Sequence, residues 1–177
     1  DKLDVPIKMI WQYAGNALTN QHADINRTTE LLRDDTKAEL IVVSDIQMTV
    51  SARYADYVLP DCSTSEQEDV IQEGSSGNMG YSILASQAIQ PLYDCRPIYD
   101  VIADLADRFG VRDQFTEGLT QQQWVERTIT ESQKEVEGLP DYQTLKEMGV
   151  WKTVGESVIP LKEFRDDPVA NKLDTPS

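Results

Sequence analysis

Histidine is almost missing from this sequence: of 177 residues, only His22 carries an imidazole. A Ser-His-Asp triad would have to use it, yet it stands in a polar turn without a flanking acid, and a solvated loop histidine is the better reading. Cysteine is nearly as scarce. Cys62 and Cys95 are too far apart for a C-x-x-C redox or zinc motif and read as buried thiols, a disulfide being open only in an oxidising compartment. Positive charge is short as well, with Lys+Arg 16 against Asp+Glu 31 and a net charge of -15, so a nucleic-acid backbone would be repelled. The acids are scattered and form no tail, which makes solubility their plainest role and leaves backbone amides to hold any phosphate. No apolar run approaches a membrane span, and no Lys/Arg-led signal opens the chain. Both G-x-G-x-x-G and G-x-x-x-x-G-K-[ST] are absent, which removes the ordinary dinucleotide and P-loop readings. The GSSG of residues 74–77 imitates a nucleophile elbow, but no apolar strand precedes it and no helix follows. Glu66, Glu68, Asp69 and Glu73 lack the spacing of a calcium loop.

What is present is a pair of strand-then-turn signals. IKMIWQYAGN (residues 7–16) and AELIVVSD (residues 38–45) bracket an amphipathic stretch that Asp24 is placed to cap and that carries Ile25, Leu31 and Leu32. Together they read as one βαβ unit, whose polar ends, Gly15-Asn16 and Ser44-Asp45, fall at the carboxyl edge of a parallel sheet. Open α/β sheets bind ligands at that edge. A brief helix over 49–55 and a third strand at 57–59, stopped by Pro60, continue the pattern. The fold class is α/β: a three-layer, mostly parallel sheet flanked by helices, Rossmann or flavodoxin-like.

Regularity then lapses. Residues 61–80, DCSTSEQEDVIQEGSSGNMG, read as a long acidic loop, and 81–89 as a fourth strand at or near an edge. Pro97 opens the clearest helix, with Ile98, Val101, Ile102, Leu105, Ala106 and Phe109 on one stripe that should cover the sheet, and Gly110 as its stop. Thr120 and Gln123 form a capping box for a helix carrying Trp124, Val125, Thr128 and Ile129 and ending near Gly138, followed by a short helix over 141–148. Beyond Trp151, Pro160, Pro168 and Pro176 punctuate what reads as an irregular arm. The expected organisation is an α/β core over 1–110, a helical extension over 111–150 and an arm over 151–177. Both ends read as cuts from a longer protein.

On spacing alone Gly15 is a turn glycine needing positive φ or a point of close cofactor approach, and these stand about even. Asp45 is a helix N-cap or a free acceptor; an ionised carboxylate can pair with the N1–H and N2–H₂ donors of guanine. A flavodoxin-like signalling module with Asp45 as phospho-acceptor is a second reading, although it needs further acids after the first strand. A structural interaction domain with no catalytic role is a third.

The stretches WQYAGNALTNQ and ELIVVSDIQMTVSARYADYVLPDCSTSEQED carry the pattern strand-G-x-N, V-V-x-D-x-x-x-T and A-D-x-V-L-P followed by acids. In these the sequence resembles the molybdopterin oxidoreductases of the dimethyl sulfoxide reductase family, from about Ile7 to Phe109. It departs at Ala17, where many relatives carry proline, at Gln67, where some carry lysine, and at residues 78–82, which replace an N-x-E-G-R stretch. The resemblance implies a segment of a catalytic subunit in which two related α/β domains each grip one of two molybdopterin guanine dinucleotides, this one being similar to the later. Gly15 and Asn16 would lie against the dinucleotide, Ser44 and Asp45 would hold its guanosine end, and Thr49 would complete the cofactor-binding set. No residue here is assigned a catalytic or metal-ligating role. Molybdenum in the bis form of the cofactor, a 4Fe-4S cluster elsewhere in the subunit, and reduction of S- or N-oxides in anaerobic respiration are implied in the same way. The implied partners are the other domains of the subunit, an iron–sulfur electron-transfer subunit and a membrane anchor, on the periplasmic side of the inner membrane. Neither nucleic acid nor direct membrane insertion is expected, and the segment alone should not turn over.

Overall fold

A computed structural model of the chain describes residues 4–21, 23–73, 79–154 and 159–172. His22, the GSSG stretch, Pro176 and the carboxyl-terminal residues 173–177 lie outside the described residues.

The uninterrupted apolar run of the second strand decides the architecture. Ile41, Val42, Val43 and Ser44 are all buried, so this strand, β2 (Leu40–Asp45), has cover on both faces. That is the signature of a central parallel strand. It pairs in parallel with β1 (Met9–Tyr13) on one side, Trp11 opposite Val42 and Tyr13 opposite Ser44, and with β3 (Tyr57–Pro60) on the other, Asp45 opposite Pro60. The crossover from β1 to β2 runs through α1 (Ala17–Asn20) and α2 (Ile25–Leu32). Asp24 caps α2 by accepting the Arg27 amide at 3.0 Å. The brief helix before β3 is one 3-10 turn, Ser51–Tyr54, with Ser51 and Ala52 buried.

The fourth strand is not an edge of this sheet. It is the middle of a second, antiparallel one, in the order β4 (Asp69–Glu73), β5 (Met79–Ala85), β6 (Val150–Val154). Two expectations are corrected here. Residues 69–73 lie within the stretch read as a long loop, and 151–154 within the stretch read as an irregular arm, Val150 being the last residue of the expected helical extension. Each is a five-residue strand whose pattern becomes regular only against β5: Val70 pairs with Leu84, Ser82 with Trp151. The core on this sheet is Leu84 with Val125 and Ile129 of α5 (Gln121–Ser132) and Tyr142 and Leu145 of α6 (Tyr142–Met148), and Val70 and Trp151 pack against it. The capping box of Thr120 and Gln123 is formed, with bonds of 2.8 and 3.3 Å, and α5 ends at Ser132, short of Gly138.

Along the chain, α3 (Ile98–Arg108) and α4 (Arg112–Thr116) fall between β5 and α5, and a last helix, α7 (Lys162–Asp166), follows β6. α3 packs principally on α4, and Phe109, the last residue of the predicted sheet-covering stripe, is exposed. What joins α3 to the parallel sheet is the segment just before it: the Arg96 amide donates to the Pro60 carbonyl at 3.2 Å, and Asp61 and Arg96 form an isolated parallel bridge.

Candidate cofactor-binding edge

Parallel pairing stacks the three strand ends of the first sheet at one edge. Beyond β1 the chain turns through Ala14 and Gly15, both at positive φ (45° and 116°). The value at Gly15 lies in territory that glycine enters freely and a Cβ disfavours. The Ala14 amide still donates to the Ser44 carbonyl, at 3.0 Å, so the turn begins as a continuation of the ladder. Gln12, buried inside the apolar strand, then shapes it: its amide group donates to the Gly15 carbonyl and its oxygen accepts the Leu18 amide at 3.0 Å.

Asp45 closes the edge from β2. One carboxylate oxygen accepts the Gly15 amide and the other the Gln47 amide, each at 3.2 Å. These are long bonds, and a carboxylate has about four acceptor positions, so Asp45 holds the turn while keeping capacity for further donors. Gly15 and Asp45, predicted from strand ends, are therefore brought into direct contact.

The other predicted residues are placed differently. Ser44 is buried, and its hydroxyl accepts the Trp11 indole N–H at 2.9 Å. Asn16 faces the 3-10 turn: its Oδ1 accepts the Ser51 amide at 2.9 Å, the Ser51 hydroxyl at 2.7 Å and the Thr19 hydroxyl at 2.9 Å. Thr49 accepts the Ala52 amide on its hydroxyl at 3.2 Å, which starts that same turn. These three side chains brace the loops that carry Gly15 and Asp45.

Two residues at this edge were not singled out in the sequence. Asp61 directly follows β3 as Asp45 ends β2, and it is buried. Its carboxylate accepts the Cys62 amide at 2.8 Å. Burial pushes its carboxyl above the ordinary aspartate value; the Cys62 and Ile98 amides and the Tyr13 phenol pull it back, and Asp45 adds to the rise. Tyr13, the last residue of β1, is half exposed, and burial together with Asp61 and Asp69 raises its phenol. The signal that could have found Asp61 is positional: an acid immediately after a strand-ending proline.

Asp45 and Asp61 thus place two carboxylates at this edge, which opposes a bare phosphate and suits a neutral group rich in N–H and O–H donors. A separate open cleft of about 500 Å³, lined by Glu66, Glu68, Gln121 and Lys146 among others, contains none of the predicted residues. There Lys146 pairs with Glu68 at 2.7 Å and α6 is tied to the start of β4.

The family model for molybdopterin oxidoreductases matches residues 3–108. The chain belongs to that family. It is 51% identical over 180 residues to dimethyl sulfoxide reductase DmsA of Escherichia coli (strain K12) and 46% identical to its namesake in Haemophilus influenzae (strain ATCC 51907 / DSM 11121 / KW20 / Rd), covering 100% of this chain and 22% of each relative. A dimethyl sulfoxide/trimethylamine N-oxide reductase of Cereibacter sphaeroides is 33% identical, across 97% of this chain and 21% of its own length. The chain thus spans about a fifth of the length of the curated relatives it matches. Among solved structures, acetylene hydratase from Pelobacter acetylenicus superposes with a TM-score of 0.61 at 22% identity, over 87% of this chain and 19% of that one, which shows a shared fold.

Proposed function

We propose that this chain is a cofactor-gripping domain of a molybdenum oxidoreductase that reduces dimethyl sulfoxide and related S- or N-oxides, and that its carboxyl edge holds the guanosine end of a molybdopterin guanine dinucleotide. The observation that carries the reading is the Asp45 carboxylate, fixed by two amides and still able to accept at the edge where such sheets bind ligands. Guanine offers the adjacent N1–H and N2–H₂ donors that a carboxylate accepts in parallel. Gly15 brings bare backbone to the same place, while Ser44, Asn16 and Thr49 act by holding the two loops in register. The residues fit the group at its donor-rich base; the phosphates would lie away from Asp45 and Asp61, against amides.

When bound, the molybdenum centre supplies the oxygen transfer and electron chemistry. The chain's part is to bind and orient. A 4Fe-4S cluster elsewhere in the subunit, an iron–sulfur partner, a membrane anchor and a periplasmic setting belong to the same proposal, and they rest on the resemblance of the sequence motifs to that family. Among the described residues no helix is long and apolar enough to cross a membrane. An edge shared with a second domain presents each partner with a shallow half-site, in keeping with a cleft that lies elsewhere on this chain.

The competing reading makes Asp45 a turn cap alone, favoured by the fact that both its oxygens already accept an amide. Asp45→Asn in the full-length enzyme separates the two. It keeps one acceptor oxygen for the turn and loses the charge-assisted pairing. The proposal expects guanine and molybdenum content per protein to fall severalfold while the circular dichroism spectrum is unchanged; unchanged content leaves only the cap.

A further inference from the structure

Gln12 lies on the same face of the parallel sheet as Asp45: it pairs in register with Val43, and strand alternation returns to that face at Asp45. Both side chains converge on Gly15. The Asp45 carboxylate accepts the Gly15 amide at 3.2 Å, and the Gln12 amide group donates to the Gly15 carbonyl. The other end of Gln12 fixes which atom is which, because only its oxygen can accept the Leu18 N–H, at 3.0 Å. Gln12 is buried, so the Gly15 carbonyl is drawn toward the interior. The peptide joining Gly15 to Asn16 is trans, and in a planar trans peptide C=O and N–H point in opposite directions. The Asn16 N–H is therefore turned away from Gln12, and among the described residues it has no acceptor. A Cβ built on Gly15 would meet nothing within 4 Å, so the space beside this amide is open.

We propose that the Asn16 backbone N–H is a specificity-determining donor to the O6 of guanine, and that Gln12 is the positioning residue that turns it outward. This rests on the guanosine reading above. Guanine presents the acceptor O6 beside the donors N1–H and N2–H₂ along one edge. Asp45 accepts the two donors, and the Asn16 amide, one residue beyond the amide that Asp45 holds, supplies the donor for O6. Adenine carries an amino group where guanine has O6 and no proton at N1, so it meets donor with donor and acceptor with acceptor. A flipped peptide would set the Gly15 carbonyl against O6 and reverse the preference. Glycine tolerates either orientation, so the choice falls to Gln12.

The test is equilibrium binding of GDP, 6-thio-GDP and ADP to the full-length enzyme freed of its cofactor, read together with the melting temperature of each variant. 6-Thio-GDP keeps N1–H and N2–H₂ and replaces O6 with sulfur, a weaker acceptor. Wild type should prefer GDP to 6-thio-GDP about tenfold, the worth of one hydrogen bond. Gln12→Met removes the clamp at similar volume, and Gln12→Glu keeps the acceptor for Leu18 while losing the donor to Gly15. In both variants the preference should fall to about twofold while affinity for 6-thio-GDP changes little, because Gln12 and O6 are coupled through one amide. Equal wild-type affinity for GDP and 6-thio-GDP overturns the O6 contact. A tenfold preference retained in either folded Gln12 variant overturns the positioning role. A wild type that does not prefer GDP to ADP would instead sink the guanosine reading itself.

Discussion

Asn16 and Ser51 stand 35 residues apart and are joined twice through one oxygen: Asn16 Oδ1 accepts both the Ser51 amide, at 2.9 Å, and the Ser51 hydroxyl, at 2.7 Å. Ser51 is fully buried, so these bonds are shielded from water. The turn after β1 and the turn after β2 are thereby locked together before any ligand arrives. The acceptor that binds them cannot be spared without stranding a buried N–H.

Asn16→Ala should therefore loosen both turns at once. Leaving a buried donor unpaired costs about 2 kcal/mol, equivalent to roughly thirtyfold faster local opening. Hydrogen exchange of the full-length protein should show that acceleration at residues 14–20 and 50–52, with α5 and α6 unaffected. Uniform acceleration, or none, would contradict the lock.

Gly15→Ala isolates backbone conformation from packing. A Cβ there meets no atom within 4 Å, so the whole cost comes from φ +116°. Strain of about 1–2 kcal/mol is expected, relieved by rotating the amide away from Asp45. Nucleotide content should fall while the global melting temperature moves by only a few degrees. A variant with full nucleotide content would mean that the Gly15 amide is dispensable.

Two carboxylates predict opposite pH behaviour. Glu66 accepts the Leu92 amide at 2.8 Å and both the Ser63 amide and hydroxyl, which hold its carboxyl below the ordinary value. Its contribution is present above the unfolded pKa and is lost as pH falls through the folded one. Asp61, raised by burial, does the reverse: its contribution is full below the unfolded pKa and is lost as pH climbs through the folded one. In melting curves from pH 3 to 7, Glu66→Gln should harm stability most at neutral pH and least in acid. The deficit of Asp61→Asn relative to wild type should shrink as pH rises. Parallel profiles for the two variants would refute the assignment.

Thiol reactivity gives a further check. Cys62 is buried and its thiol is pushed up to about 11, by burial first and then by Glu66 and Asp61, so it is a thiol at neutral pH. Cys95 is partly exposed, with a smaller rise. Iodoacetamide followed by mass spectrometry should modify Cys95 first and Cys62 only after denaturation. Equal rates would show that Cys62 is accessible in the native state.

What could be read from the residues was what is local. The run Ile41-Val42-Val43 announces a central strand, and Asp24, Asp141 and the Thr120 and Gln123 box mark helix starts by their own short-range bonds. β4 and β6 were not legible because DVIQE and VWKTV acquire a pattern only through pairing with β5, and one is embedded in a polar stretch while the other precedes a proline-punctuated one. At the site, Gly15 and Asp45 could be placed by counting to strand ends. Asp61 was open to the same count, as the acid after the strand-ending Pro60, but an acid opening an acidic segment looks solvated until its burial is seen. The inward-turned roles of Asn16 and Ser44 could not be placed, because they depend on Ser51 and Trp11 arriving from distant positions.

Whether Asp45 accepts the guanine edge is measured directly by an experimental structure of the molybdenum-loaded full-length enzyme. The prediction is a guanine whose N1 and N2 both lie about 3 Å from the Asp45 carboxylate oxygens. A guanine placed elsewhere, or a phosphate seated at Asp45, would contradict it.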